Sequence, residues 1–243
     1  MIDLHCHILP GVDDGSEDLT TSLDMAAMAA GSGVHAIVAT PHCNIPGLRP
    51  NYADRALYDA VRALRSAVQD AGIALQIYAG AEVFFTPEVP HLLENRWLPT
   101  MNGSRYLLVE FPFDAPEEYM TRGLEEIKAA ELTPIVAHPE RYFAVQLEPG
   151  IFIDWFQRGF ALQLNKDSIL GRLGPRAERA AQWALRRGLA HVVASDAHGV
   201  RVRNPSMDTL REELAESFSE EYARLLLEEN PRRILSGRSL AGV

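Results

Sequence analysis

Side chains that commonly bind metal ions recur along this chain. His5 and His7 flank Cys6 near the start of the sequence, and alternate residues of a β-strand point to the same face. Two imidazoles would therefore lie side by side if this segment is a strand. Imidazole and carboxylate ligands without thiolate suit manganese, zinc or iron better than calcium or magnesium. The other candidates are His42, Glu82, Glu110, His138, Asp196, His198 and one carboxylate in the loop after His7, either Asp13 or Asp14.

Nine ligands are too many for one ion, so the pattern favours a cluster of two or three ions. A carboxylate such as Glu82 can bridge two of them. Such a cluster generates hydroxide from water near neutral pH and holds both the attacking and the leaving oxygen of a phosphoryl transfer. The set therefore predicts metal-assisted hydrolysis of a phosphoester.

Two arginines follow the last candidate ligands closely. Arg141 lies in the segment HPERY, and Arg203 comes seven residues after Asp196. A guanidinium can bind two phosphate oxygens at once and stabilise the charge of the transition state. We expect both arginines to act in catalysis and substrate binding, with Arg49 and Arg201 as further candidates for substrate binding.

The elements that must position these residues alternate along the chain. Strand-like apolar segments are separated by amphipathic helical patterns, without a linker or a break in composition, which is typical of parallel strands joined by helices. We predict an α/β fold, a barrel of about seven strands, with an open doubly wound sheet as the alternative. Predicted strands cover residues 2–7, 34–40, 74–82, 106–111, 134–138, 161–165 and 191–195; predicted helices cover 17–30, 54–71, 116–130, 150–158, 175–187 and two within 206–229.

Every predicted strand except the sixth ends in a candidate ligand. The carboxyl ends of the strands share one rim in a β/α barrel, so residues nearly two hundred positions apart would converge there. Three other histidines receive no role. His35 and His191 lie at strand beginnings, on the opposite rim, and His91 lies in a polar connecting segment.

Composition limits the class of protein. With 243 residues, 47% of them hydrophobic, the chain fits one domain over residues 1–243. Two cysteines exclude a disulfide framework, and a net charge of -10 opposes general binding to nucleic acid. No apolar run is long enough for a membrane span, and Asp3 and His5 oppose a secretory signal, so we expect a cytoplasmic protein.

A competing signature overlaps the candidate metal site. Residues 42–49 fit the pattern H-C-x5-R, the phosphate loop in which a cysteine thiolate attacks phosphorus. Pro46 has no N–H to donate to phosphate, and Pro50 directly follows Arg49. We therefore favour metal chemistry over a nucleophilic Cys43, and we expect Cys6 to pack away from the ions.

The ordered motifs HxH, DDG, TPH, a glutamate after the third strand, VEFP, HPERY and SDAH, with LNKDSILG before the last, span nearly the whole chain. Together they resemble the PHP (polymerase and histidinol phosphatase) superfamily, and within it the bacterial PHP-type tyrosine-protein phosphatases of capsule and exopolysaccharide loci. The resemblance implies a distorted (β/α)7 barrel with its active site at the carboxyl ends of the strands. Residues 43–51, CNIPGLRPN, are more apolar and proline-rich than that branch leads us to expect.

The resemblance also implies a site with three metal positions, most simply manganese, with zinc or iron as alternatives. It implies that Asp14, rather than Asp13, is a ligand, and that Arg141 and Arg203 bind phosphate. The implied substrate is the phosphotyrosyl tail of a cytoplasmic tyrosine autokinase that controls polysaccharide export. The alternatives are a phosphatase of a small monoester such as histidinol phosphate and a metal-binding interaction module without catalysis. The implied ligand sets are His5, His7, Glu82 and Asp196 for the first ion, Glu82, Glu110 and His138 for the second, and Asp14, His42 and His198 for the third.

Overall fold

The computed structural model describes residues 1–241, and its strands form a closed parallel barrel surrounded by helices. Every strand pair is parallel, as expected when helices join successive strands. The barrel confirms the predicted fold class and excludes the open sheet. Within residues 1–241 the strands are β1 (Ile2–Cys6), β2 (Ala36–Ala39), β3 (His42–Cys43), β4 (Gln76–Ala79), β5 (Glu82–Phe84), β6 (Tyr106–Glu110), β7 (Thr133–Ala137), β8 (Ala161–Asn165) and β9 (Val192–Ala194).

The nine strands fill seven positions around the barrel, because β2 and β3 together occupy the second position and β4 and β5 the third. β3 lies beyond the strand predicted over residues 34–40, and β5 begins at the last residue of the strand predicted over 74–82. β2 and β3 are separated by Thr40 and Pro41, and β4 and β5 by Gly80 and Ala81. The sheet runs β1-β2-β4 near the amino ends and β3-β5-β6-β7-β8-β9 beyond the breaks. A bridge between Cys6 and Ala197 closes the barrel between β9 and β1. The two breaks divide the barrel into a three-stranded and a six-stranded sheet.

The longer helices lie where the apolar periodicity and capping residues predict them. Asp18 and Asp54 accept hydrogen bonds from backbone N–H groups of the first turns of α1 and α2. On α2 the buried side chains recur every three or four residues. The helices are α1 (Leu19–Gly31), α2 (Arg55–Asp70), α3 (Val89–Glu94), α4 (Glu117–Ala129), α5 (Phe143–Leu147), α6 (Ile151–Gln157), α7 (Lys166–Ile169), α8 (Pro175–Leu185), α9 (Asp208–Ser217), α10 (Glu220–Arg224) and α11 (Asn230–Leu235).

Several short elements depart from the sequence prediction. The helices α3, α5 and α7 were not predicted. His91, which was expected in a polar connecting segment, lies on α3. The final helix does not end at residue 229, because a π-helical turn over Leu225–Glu229 carries α10 into α11 despite Pro231. Among residues 1–241, no helix is both long and apolar enough to cross a lipid bilayer.

Two apolar clusters fill the molecule. The larger one lies between the strands and the helices, and Cys6 belongs to it, as predicted from strand alternation. The smaller one takes alternate residues of the strands and fills the barrel near their amino ends, with Leu108 and Ile135 among its members. Because these apolar side chains fill the barrel near the amino ends, the polar residues at the carboxyl ends line the bottom of a cleft.

Candidate metal centre

All nine predicted ligands converge at the carboxyl rim of the barrel. Each belongs to at least one group whose donor atoms lie within 4.8 Å of one another. Asp14, His42 and His198 fall into one group, as the resemblance implied, and His7 joins them. The structure therefore brings together a set of residues that could hold more than one metal ion. The other groups are His5 with His7 and Asp196, His5 with Glu82 and His138, and His42 with Glu82 and Glu110.

The imidazoles of His5 and His7 are fully buried, with their Nε2 atoms 3.1 Å apart. His5 Nδ1 lies 2.9 Å from Gln163 Oε1, and His7 Nδ1 lies 2.7 Å from Asp13 Oδ2. Both oxygens only accept hydrogen bonds, so each Nδ1 donates to its oxygen and each Nε2 faces the cluster. An imidazole with Nδ1 bonded to an oxygen and Nε2 turned toward carboxylates is oriented as metal-binding histidines are, which fits a metal site.

Asp13 and Asp14 occupy different environments. The side chain of Asp13 is only 5% exposed and accepts hydrogen bonds from His7 Nδ1, the His42 backbone N–H and the Gly15 backbone N–H. Burial alone would raise its pKa, but these bonds lower the pKa of Asp13 to about 2. The carboxylate of Asp14 is 68% exposed and lies 3.4 Å from Nε2 of both His42 and His198. Asp14 thus faces the cluster, while Asp13 orients His7 from behind.

The glycine after these two carboxylates is required by a close approach of the chain. A Cβ on Gly15 would lie 2.2 Å from the carbonyl oxygen of His7, far inside any allowed contact. Ser16 N also donates to that oxygen, so the loop folds back directly over His7. The DDG motif therefore positions both aspartates against the first strand.

Glu82 lies at the centre of the cluster. Burial disfavours its charge, but the surrounding histidines, His5 first, hold the pKa of Glu82 well below its usual range. Glu110 lies farther out, 3.5 Å from His138 Nε2, and burial together with the charges of Glu82 and Asp196 raises its pKa well above the usual range. The imidazole nitrogens nearest to Glu82 are His138 Nε2 at 3.0 Å, His42 Nδ1 at 3.1 Å, His5 Nε2 at 3.3 Å and His7 Nε2 at 3.4 Å.

His198 presents a further free lone pair to the cluster. Its Nδ1 lies 3.0 Å from the backbone carbonyl oxygen of Asp196 and donates to it. Its Nε2 is buried and has no hydrogen-bond partner within residues 1–241. Burial, followed by the nearby His7 and Arg203, lowers the pKa of His198 to about 3, so the ring is neutral. A buried neutral nitrogen without a partner is well suited to bind a metal ion.

Arg141 and Arg203 reach the cluster from its rim and share one carboxylate. Arg141 Nη1 lies 3.1 Å from Asp196 Oδ2, and Arg203 Nη2 contacts Asp196 Oδ1. The Arg141 guanidinium also lies over the ring of Phe113, 4.6 Å from its centroid. His138, Asp196 and Arg203 all have positive φ, a strained conformation that is often found at functional sites. The site thus places two guanidinium groups beside the candidate ligands.

The apolar loop after His42 borders the mouth of the site. Arg49 and Leu48 are exposed, and with Ile45 and Val12 they line a cavity of about 420 Å³ that reaches His42 and Asp14. Arg201 is also exposed, on the loop before Arg203. The cavity gives the cluster an apolar approach with one cationic side chain.

The cysteine signature does not form a nucleophilic site. Cys43 is fully buried in the larger apolar cluster, and burial raises the pKa of its thiol to about 12. A thiolate is required for attack on phosphorus, and this sulfur is both protonated and inaccessible. Cys43 therefore packs the core behind His42.

Sequence reasoning missed the residues that contact the ligands from behind. Gln163 and Asn165 come from β8, the strand without a candidate ligand, and bond His5 and Asp196. Their alternate spacing on a predicted strand was the available signal. Phe113 gave no signal, because its contact with Arg141 joins residues 28 positions apart in sequence.

Comparisons with known proteins agree with this geometry. The family model described as capsular polysaccharide synthesis, CpsB/CapC, matches residues 1–236. Tyrosine-protein phosphatase YwqE of Bacillus subtilis (strain 168) is 33% identical over 94% of this chain and 89% of its own length. Tyrosine-protein phosphatase CpsB of Streptococcus pneumoniae is 31% identical over 97% of this chain and 98% of its own length.

Solved structures extend the comparison. One chain, from crystal structures of YwqE and CpsB described as metal-dependent tyrosine phosphatases, superposes with a TM-score of 0.93 at 32% identity, covering 100% of this chain and 97% of its own. The phosphotriesterase from Mycobacterium tuberculosis, at 10% identity and a TM-score of 0.62, shares the fold alone. The resemblance drawn from the motifs is confirmed: the chain belongs to the CpsB/CapC family of capsular polysaccharide synthesis.

Proposed function

We propose that this chain is a metal-dependent phosphoric monoester hydrolase, and specifically a protein-tyrosine phosphatase. The observation that carries the proposal is the convergence of nine imidazole and carboxylate side chains at one rim, with two arginines beside them. Similarity to relatives named tyrosine-protein phosphatases supports the same activity. It also favours phosphotyrosine over a small substrate such as histidinol phosphate.

The site would hold two or three divalent ions, most simply Mn²⁺, with Zn²⁺ or Fe²⁺ as alternatives. The donors fit such ions, because His5, His7 and His198 each keep Nδ1 bonded to an oxygen and turn Nε2 toward the cluster. Glu82 would bridge two of the ions, and its position within 3.4 Å of four imidazoles supports this role. When bound, the ions would activate a water molecule and neutralise negative charge on the phosphoryl group.

The arginines would bind the substrate phosphate. Each guanidinium now pairs with Asp196, and a phosphate at the rim offers oxygens that can replace this carboxylate as the acceptor. Asp196 would then be available as a ligand to the ions. Phe113 keeps Arg141 over the site during this exchange through its contact with the guanidinium. The developing charge on the phosphoryl oxygens is stabilised by Arg141 and Arg203.

The cavity beside the cluster has apolar side chains on one part of its lining, which suit an aromatic leaving group on a peptide. Ile45 and Leu48 would contact the tyrosyl ring or its neighbours, and Arg49 would attract an anionic substrate. We propose the phosphotyrosyl tail of a bacterial tyrosine kinase as the partner, acting in the cytoplasm in capsule or exopolysaccharide synthesis. The whole of residues 1–243 would act as one phosphoesterase domain.

A comparison of substrates tests this proposal. The manganese-loaded chain should hydrolyse a phosphotyrosyl peptide at least about 100-fold more efficiently, in kcat/KM, than histidinol phosphate or the matched phosphoseryl peptide. Preference for histidinol phosphate would contradict the assignment of substrate. Binding of manganese without turnover of any phosphomonoester would identify an interaction module and contradict the assignment of an enzyme.

A further inference from the structure

The strand β8 brings no candidate ligand to the rim, yet two of its side chains contact the cluster. Gln163 and Asn165 are both buried, with exposed fractions of 0% and 1%. They lie two residues apart on the strand and so share the face that lines the barrel interior. We propose that Gln163 and Asn165 are positioning residues that orient His5 and Asp196 for metal binding.

Gln163 fixes the protonation pattern of His5. Its Oε1 lies 2.9 Å from His5 Nδ1, while its Nε2 donates to the backbone carbonyl oxygen of Leu164 at 2.8 Å. That second bond prevents the amide from presenting its NH₂ group to His5, because an exchange of O and N would place two acceptors together. His5 Nδ1 therefore donates to Gln163, and Nε2 is held facing the position where an ion would bind.

Asn165 holds the Asp196 carboxylate in one orientation. Its Oδ1 accepts a hydrogen bond from the backbone N–H of Asp167 at 2.8 Å, so only Nδ2 can face the cluster. Nδ2 donates to Asp196 Oδ2 at 2.7 Å. The other oxygen, Oδ1, then points toward Nε2 of His5 and His7, at 3.5 and 3.6 Å. Asn165 thus leaves one carboxylate oxygen directed at the ion position.

The backbone of Asn165 is itself anchored. Its N–H donates to Oε1 of the fully buried Glu140 at 2.9 Å. Since Glu140 lies in the segment between His138 and Arg141, this bond ties β8 to the turn that carries both of those residues. The amide pair therefore acts on His5 and Asp196, two members of one candidate group of three ligands.

The inference rests on the proposed metal site and not on the proposed substrate. Loss of a group that orients a metal-binding histidine or carboxylate typically weakens metal binding by about 10- to 100-fold. Gln163→Leu removes the acceptor for His5, and Asn165→Leu removes the donor to Asp196. Gln163→Glu is the rescuing variant, because a protonated carboxyl group accepts the same Nδ1–H through one oxygen and donates to the Leu164 carbonyl oxygen through the other.

The control is Asn230→Leu. Asn230 is also a fully buried amide bonded to backbone groups, its Nδ2 to the carbonyl oxygen of His191 and its Oδ1 to the N–H of Ala241. It contacts none of the nine candidate ligands within residues 1–241. Asn230→Leu should therefore lose stability through removal of a buried amide, while the candidate metal site stays unchanged.

The measurement is the Mn²⁺ affinity of each metal-free full-length variant, by competition with a fluorescent chelator, beside its melting temperature. Gln163→Leu and Asn165→Leu should bind about 10- to 100-fold more weakly, with Gln163→Glu and Asn230→Leu within about threefold of the unmodified chain. The inference is overturned if both leucine variants bind normally, if Gln163→Glu is as weak as Gln163→Leu, or if Asn230→Leu weakens binding equally. An unmodified chain that binds Mn²⁺ but hydrolyses no phosphotyrosine would contradict the proposed function alone.

Discussion

Replacement of Glu82 by glutamine should disable the whole cluster. The Glu82 carboxylate is 1% exposed and lies within 3.4 Å of four imidazoles, and it belongs to two of the four candidate ligand groups. Glu82→Gln keeps the shape of the side chain and removes its charge. Because the side chain is placed to bridge two ions, one substitution should weaken binding at both.

The size of the effect follows from the charge that is lost. Two unit charges 4 Å apart interact by about 4 kcal/mol at an effective dielectric constant of about 20. Since a tenfold change in affinity corresponds to about 1.4 kcal/mol, removal of this charge should weaken Mn²⁺ binding about 1000-fold. The loss stays below that expected for the full divalent charge of Mn²⁺, because the glutamine carbonyl can still bind an ion through its dipole.

The assay measures bound Mn²⁺ per chain and kcat/KM for a phosphotyrosyl peptide. Glu88→Gln is the matched control, because Glu88 is exposed and lies six residues further along the chain. It should behave as the unmodified chain does. Retention of full metal content by Glu82→Gln, with kcat/KM within about threefold of the control, would refute the bridging role.

Three further predictions concern other residues. Arg141→Ala should lower kcat/KM for a phosphotyrosyl peptide about 100-fold. Arg141→Lys should recover little of this activity, because an ammonium group cannot bind two phosphate oxygens in a planar fork. Full activity of Arg141→Ala would contradict the phosphate-binding role. Cys43→Ser should keep kcat/KM within about twofold, since the thiol is buried and protonated, and abolished turnover with metal retained would restore the cysteine mechanism. Burial lowers the pKa of His191 from 6.5 to about 4, so its contribution to stability is complete above pH 6.5 and is lost as the pH falls through 4. Between pH 6.5 and pH 4 the unfolding free energy of the unmodified chain should fall by about 3 kcal/mol more than that of His191→Asn, as measured by urea titration. Parallel pH profiles of the two proteins would contradict this prediction.

The barrel and the position of its ligands were predictable because both follow from short-range patterns. Strand periodicity placed His5 and His7 on one face, and the shared rim of a parallel barrel placed Glu110 and His138 beside them. Neither inference required knowledge of side-chain contacts. The residue pattern alone could not decide whether Asp13 or Asp14 is the metal ligand, because both lie in the same turn after the first strand.

Features that depend on tertiary contacts were missed. The breaks after Ala39 and Ala79 fall where the strand pairing divides into two sheets. Pro41 and Gly80 lie in these breaks and were the available signal in the sequence. The role of β8 was missed because the amides of Gln163 and Asn165 are not typical metal ligands. Their partners also lie far away in sequence, up to 158 positions in the case of His5 and Gln163. α11 was also missed, although Pro231 lies in its first turn, where proline is well tolerated; a π-helical turn over Leu225–Glu229 joins it to α10.

The requirement for a metal ion tests the central claim most directly. The chain and its Cys43→Ser variant should be freed of metal by chelation, analysed for residual metal, and assayed on a phosphotyrosyl peptide before and after Mn²⁺ is added back. Both should lose hydrolysis with the metal and regain it on addition of Mn²⁺. Full hydrolysis by metal-free protein would contradict the account.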